Sequence, residues 1–332
     1  MNMKMLYCGM MAFSAFYLAS CNLSPNFSSN SLLTNSSSSA VTVSSITPNG
    51  TVFTAGQDSG NNACYWVLQS ETMLSYGGCA ASIYVSNNII YTAGTDGGNN
   101  ACYWTAIYPE AIETSLSANS LADSIFIYGA TVYVSVSNGS AACYWTNPLT
   151  GGALTKINLT GLTASSIFVY SGTVYTAGQD NSGNACFWIG AARTQLAAGG
   201  LTTSIFVYGG TAYTAGRDSS GNACYWQGTI EKQLSAGGTA NSIFVSNNTV
   251  YTAGNDGSGN ACCWTNSISG MPAETLMTSG GTANSIFVFN NYIYIAGQDA
   301  GGNSCYWTFA SGEIAETVLT SGGAAKSVFV TP

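Results

Sequence analysis

Two residue types recur along this chain at spacings that could carry chemistry. Cys64, Cys102, Cys143, Cys186, Cys224, Cys262 and Cys305 each stand two residues before a tryptophan. A few residues upstream of them stand Asp58, Asp96, Asp180, Asp218, Asp256 and Asp299, with Asn138 taking that place in the third copy. Thiols in register could form disulfides or hold a soft metal, and carboxylates in register could bind cations or move protons. The chain contains no His, so the commonest metal ligand and the commonest general base are both missing. Each Asp opens a short turn such as Asp256-Gly-Ser-Gly-Asn260. That supplies one carboxylate where a calcium loop needs several oxygen ligands. The expected role is therefore Asp accepting the amides of its own turn. No metal site and no cofactor are expected.

The elements that position these residues are read from a longer period. Trp66, Trp104, Trp145, Trp188, Trp226, Trp264 and Trp307 are separated by 38, 41, 43, 38, 38 and 43 residues. A period near 40 matches one four-stranded propeller blade. In the sixth copy Ser242-Ile-Phe-Val245 reads as a strand, Asn247-Asn248 as a type I′ turn and Thr249 to Gly254 as the returning strand. The Asp turn then leads to Ala261-Cys-Cys-Trp264, a looser turn leads to a fourth strand around Glu274-Thr-Leu276, and Gly280-Gly281 ends the unit. In Ala223-Cys-Tyr-Trp226 both strand faces are apolar. A ring of blades covers both faces without helices, and no helical periodicity is present. The expected fold is all-β: a seven-bladed β-propeller of four-stranded antiparallel blades. In such a ring the third-strand cysteines lie beyond the ~7 Å Cα limit of a disulfide, so they are expected to be small buried hydrophobes.

The strand order resembles the YVTN-type family of bacterial propellers, on the match of Phe244-Val245, Asn247-Asn248 and Val250-Tyr251-Thr252. The resemblance implies that the Ser-Ile-Phe-Val strands line the central channel. It carries no catalytic residue across. The chain ends on Ser327-Val-Phe-Val-Thr-Pro332, the first strand of a copy that never continues. That strand is expected to close the ring on blade one. Whether residues 43–47 or 327–330 form blade one's inner strand is left open by the sequence.

Three regions are expected: a signal peptide over 1–20, a Ser/Asn-rich tether over 21–42 and the propeller over 43–332. Lys4 and the apolar run to Tyr17 precede Leu18-Ala19-Ser20-Cys21. That tetrapeptide resembles the lipobox of bacterial lipoproteins. The resemblance implies cleavage before Cys21 and lipid on its sulfur, with diacylglycerol and acyl chains of the palmitate kind as the membrane anchor. The uncharged tether would then reach roughly 25 Å from the anchor. The implied location is the cell envelope, at the outer membrane or cell surface.

Only 6% of residues are charged, and six basic against fourteen acidic residues give a net charge of −8. No basic stripe exists to neutralise phosphates, so nucleic acid is not an expected partner. Acids outside the Asp column fall mostly on the variable fourth strand and suit solvated edges. No nucleophile elbow or phosphate loop is present, so no enzymatic activity is expected. The expected role is a non-catalytic envelope module that binds or scaffolds a protein or glycan ligand. The alternatives are a lectin-like propeller and, after that, a glycan-processing enzyme. Tyr128, Tyr170 and Tyr208 beside the first turn, and Arg217 as the lone base in its loop column, are the candidate contact residues.

Overall fold

The computed structural model describes residues 50–332 except 108, 109, 269 and 311. The signal peptide, Cys21, the tether and the segment 43–47 lie outside the described residues. Twenty-eight strands form seven sheets of four, all antiparallel. Blade six runs Thr239–Ser246, Thr249–Asn255, Ala261–Ser267 and Ala273–Thr278, and its strand order from the inside outwards is the chain order. Blade one is the exception. Its inner strand is Ala324–Thr331, paired with Thr51–Gln57, so the last strand of the chain completes the first blade. The question left open by the sequence is thereby resolved in favour of the C-terminal strand.

Local chemistry explains each turn. Asn87 and Asn88 both take positive φ (51° and 60°), as do Asn247 and Asn248 (48° and 58°) and Asn290 and Asn291 (49° and 64°). Asn tolerates this left-handed region better than other side chains, and a type I′ turn requires it twice. At the opposite end of the inner strand, every blade carries a register shift after the strand's second residue. This β-bulge re-aims one side chain per blade. In six blades a glycine faces the residue before the bulge, and there the fit is close: a Cβ on Gly94 would lie 2.0 Å from the Cys79 carbonyl oxygen. Blade three carries Val136 there.

Two rings tie the inner strands together. In six blades the Ser of the inner strand accepts a backbone N–H from the next blade, as from Ile125 to Ser82 at 3.1 Å, Ile243 to Ser204 at 3.3 Å, Ile83 to Ser327 at 3.2 Å and Val328 to Ser285 at 2.9 Å, while Ser124 of blade three takes no such bond. Two residues on, Tyr84, Phe126, Phe168, Phe206, Phe244, Phe287 and Phe329 form a closed circle with centroids 4.9–5.2 Å apart. Tilted contacts at this spacing suit the aromatic quadrupole. They make the channel a narrow neck. Further out, Trp66, Trp104, Trp188, Trp226, Trp264 and Trp307 are fully buried between sheets. Trp145 in blade three is only partly covered, with Lys156 Nζ 5.9 Å from its ring centre.

The column cysteines are all free and buried. Burial raises their thiol pKa, as at Cys186, which is pushed up to about 12. Thiolate formation is suppressed, so they pack and do not react. Cys79, outside the column, is disulfide-bonded and stands apart from them.

Candidate functional site

The disc has two unlike faces. One carries the Asn turns and the variable third-to-fourth turns. The other carries the Asp turns, the Gly-Gly loops between blades and the bulged start of each inner strand. On this second face the Asp carboxylates are saturated by their own loops. Asp256 Oδ1 accepts the Ser258 and Asn260 amides at 2.8 and 2.9 Å, and Oδ2 accepts Asn260 Nδ2 at 2.9 Å. Desolvation opposes ionisation of Asp256, but these donors outweigh it and hold the carboxyl below its ordinary value. Asp96, Asp218 and Asp299 behave in the same way. The Asn then reaches onward: Asn260 Oδ1 accepts the Gly280 amide at 3.1 Å, and Asn222 Oδ1 accepts that of Gly237 at 3.0 Å. The Asp column is thus a brace between consecutive loops, as its turn chemistry implies.

A second brace crosses from blade to blade. Gln57 Nε2 donates to the Gly78 carbonyl at 2.7 Å, Gln179 to Gly200 at 2.7 Å and Asn255 to Gly281 at 2.8 Å. Arg217 occupies this column in blade five and is exposed, without a hydrogen bond or ion pair among the described residues. It lines a cleft of about 290 Å³ with Gln179, Gly183, Gly200 and Asp218. The corresponding cleft between blades one and two holds about 460 Å³ and is lined by Gln57, Asn61, Gly77, Gly78, Gly97 and Asn99. Both are polar and uncharged apart from Arg217 and Asp218, and such surfaces offer hydrogen bonds without a strong field.

The mouth of the central channel lies on the same face. One bulged residue stands near the start of each inner strand on this face, Lys326, Ala81, Asp123, Ser165, Thr203, Asn241 and Asn284 in blade order one to seven, and Ala81, Asp123, Thr203, Asn241 and Asn284 are buried. In blades five to seven the bulged side chain donates to the carbonyl before the next bulge. Thr203 Oγ1 reaches Ala240 at 2.6 Å, Asn241 Nδ2 reaches Ala283 at 2.9 Å and Asn284 Nδ2 reaches Ala325 at 2.8 Å. Blade three places Asp123 there, 5% exposed and hydrogen-bonded by the Ser137 hydroxyl. Burial pushes its pKa up to about 7, with the Ser137 bond offsetting part of the effect. Lys326 in blade one is depressed below the ordinary lysine value, also by burial.

The sequence-based candidates fall on both faces. Tyr128 is exposed at 41%, and with the half-buried Tyr170 and Tyr208 it flanks turns on the Asn-turn face. Arg217 lies on the other, so the four do not form one site. Sequence reasoning missed the bulged ring, because the bulged residue changes from blade to blade and reads as an ordinary strand residue. The outer-strand acids lie on the exposed fourth strands, as expected, but they also have a role the sequence did not show. Glu71, Glu113, Glu274 and Glu316 accept the indole N–H of Trp66, Trp104, Trp264 and Trp307 at 3.1, 3.0, 2.8 and 3.0 Å. They are partners of the packing residues as well as solvated edges.

No protein-family model matches this chain, and no curated protein sequence does either. Solved structures match in fold. A Bacteroides fragilis protein assigned as a 6-phosphogluconolactonase aligns with TM-score 0.59 and 10% identity, over 87% of this chain and 99% of that one. The β-propeller domain of Cps50 (Swd1) from Myceliophteria thermophila aligns with TM-score 0.50 and 9% identity, over 73% and 86%. The computationally designed Ika8 protein aligns with TM-score 0.50 and 10% identity, over 84% and 89%. At these identities the likeness concerns the fold alone, and this chain is similar to them as a β-propeller.

Proposed function

We propose that this chain is a non-catalytic lipoprotein of a bacterial cell envelope, of the YVTN-like kind, that presents its propeller as a binding module. One observation carries the binding reading. The repeated polar groups are consumed by structural bonds, while the departures from the repeat, Arg217 and the bulged ring, gather on the Asp-loop face. The lipid reading rests on Leu18-Ala-Ser-Cys21 at the end of an apolar run. The chain enters the disc at Gly50, next to the first turn of blade one, on the Asn-turn face.

Two measurements test this. Labelling with a palmitate analogue should mark the wild-type chain and not Cys21→Ala, which should move to the soluble fraction. Soluble wild-type protein without label would refute the anchor. For binding, immobilised propeller should retain an envelope component that is lost when a bulky loop is inserted at Ser219-Ser220 on the Asp-loop face and kept when one is inserted at Asn290-Asn291. Equal retention by both variants would refute the face.

A further inference from the structure

We propose that the cleft between blades one and two on the Asp-loop face binds a neutral saccharide, with the side-chain amides of Asn61 and Asn99 as partners of its hydroxyl groups and the ring of Tyr76 as a stacking platform. The proposal deepens the binding reading above, for which it names a ligand class, and rests on it.

Three departures from the repeat meet at this cleft. The third residue after the turn Asp takes a left-handed backbone, and blades four to seven place glycine there: Gly183, Gly221, Gly259 and Gly302. Blades one and two place Asn61 and Asn99 instead, both at φ 60°. Glycine adopts that backbone at no steric cost, so the turn itself does not call for a side chain. The third departure is Tyr76, the residue before the Gly77-Gly78 loop. Ala198, Ala236, Ser279 and Ser321 hold that place in blades four to seven. Tyr76 is 80% exposed, the most exposed aromatic side chain among the described residues. A ring so open to water contributes little to packing.

The cleft is a formed space of about 460 Å³, walled by Gln57, Asn61, Gly77, Gly78, Gly97 and Asn99. That volume is in the range of small-molecule sites. Hydrogen bonds hold its walls: Asn62 Oδ1 accepts the Gly77 amide at 3.0 Å, and Ser75 Oγ accepts the Gly97 amide at 3.3 Å. Tyr76 is anchored at the rim, where a Cβ on Gly97 would overlap its carbonyl oxygen. The side chains of Asn61 and Asn99 are exposed and form no hydrogen bond among the described residues. An amide both donates and accepts, as a hydroxyl does, so two free amides across one cleft suit a polyhydroxylated ligand. The exposed ring adds an apolar face for the C–H side of a sugar. The nearest carboxylates, Asp58 and Asp96, are filled by their own loops, with Asn62 and Asn100 on both oxygens of each. In a chain of net charge −8 they oppose an anionic ligand. A peptide would call for an open strand edge or apolar side-chain pockets, and these walls offer neither. The cleft between blades four and five lacks all three features: it has Gly183 and Gly221 at the left-handed positions, Ala198 before its loop and only about 290 Å³ of space.

A glycan array of neutral and acidic saccharides, probed with the full chain in a detergent without sugar headgroups, tests this beside an array of uncharged peptides. Signal is expected on neutral glycans and not on acidic glycans or peptides. The variants follow the chain's own repeat and so keep the turns: Asn61→Gly combined with Asn99→Gly, and separately Tyr76→Ala. Each should weaken binding to the neutral glycan at least tenfold, with a melting temperature equal to wild type or above it. No signal on neutral glycans, equal or stronger signal on acidic glycans or peptides, or undiminished binding by either variant would each overturn the proposal. Absence of neutral-glycan binding together with retention of an envelope component on the Asp-loop face would overturn this site and leave the binding-module reading standing. Absence of both would overturn both.

Discussion

At the scale of single residues, the groups most suggestive of chemistry are those most committed to structure. Each column cysteine sits where burial disfavours its thiolate, with Cys263 in the neighbouring position pushed up to about 12. Thiol-reactive dye should therefore label almost none of the eight cysteines that are free among the described residues in the native protein, and all eight of them in denaturant. Rapid native labelling would contradict the packing described here. Asp123 behaves in the opposite way to the Asp column. Its pKa is raised on folding, to about 7, so between the unfolded value near 4 and that point the folded state holds a proton that the unfolded state has released. Stability contributed by this group is therefore present at low pH, declines as pH rises from about 4 to about 7 and then levels. Asp123→Asn cannot ionise. Thermal melts should show the variant gaining on wild type by several degrees between pH 5 and pH 7.5, with a constant difference above. A constant difference across the whole range would mean that Asp123 is ionised throughout.

At the scale of elements, the third and fourth strands are joined by a bond whose logic the sequence conceals. Trp66 and Glu71 are five residues apart, Trp104 and Glu113 nine, Trp264 and Glu274 ten. The intervening turn varies in length, so no fixed interval marks the pair, although the strand register sets Trp opposite Glu each time. Glu274→Leu should strand a buried indole N–H and cost about 1–3 kcal/mol. Glu231→Leu should cost much less, because Trp226 Nε1 has no partner even though Glu231 faces it. Denaturant melts of the two variants check the contrast, and equal losses would show that the indole bond contributes nothing. What was legible in the sequence follows the same rule. Asn-Asn turns, the Asp braces and the Trp period are local and repeat at fixed spacing, so they could be read directly. The bulged ring could not, since its residues are Lys, Ala, Asp, Ser, Thr, Asn and Asn and acquire a common meaning only when seven strands converge on one axis. Single departures from the repeat such as Arg217 were legible, but which of them share a face was not, because that depends on the closed ring.

At the scale of the whole molecule, the ring is a cycle of equivalent contacts with one covalent gap. The gap lies in blade one, where Ala324–Thr331 pairs with Thr51–Gln57. The same strand supplies Ser327 to Ile83, takes Ser285 through Val328 N–H and sets Phe329 between Tyr84 and Phe287. Its removal therefore opens the backbone ladder of blade one, the serine ring and the aromatic circle together. It also exposes Thr51–Gln57 as an unprotected edge, a template for association. A chain ending at Gly323 should lose its cooperative melt and aggregate, whereas Phe329→Ala, which empties one place in the circle and keeps the ladder, should stay folded and lose about 3–5 kcal/mol. Calorimetry with light scattering separates the two outcomes. If the truncated chain melts as the intact one does, the last strand decorates a ring that closes without it. If Phe329→Ala fails as completely as the truncation, the circle of aromatics, and not the strand pairing, holds the ends together.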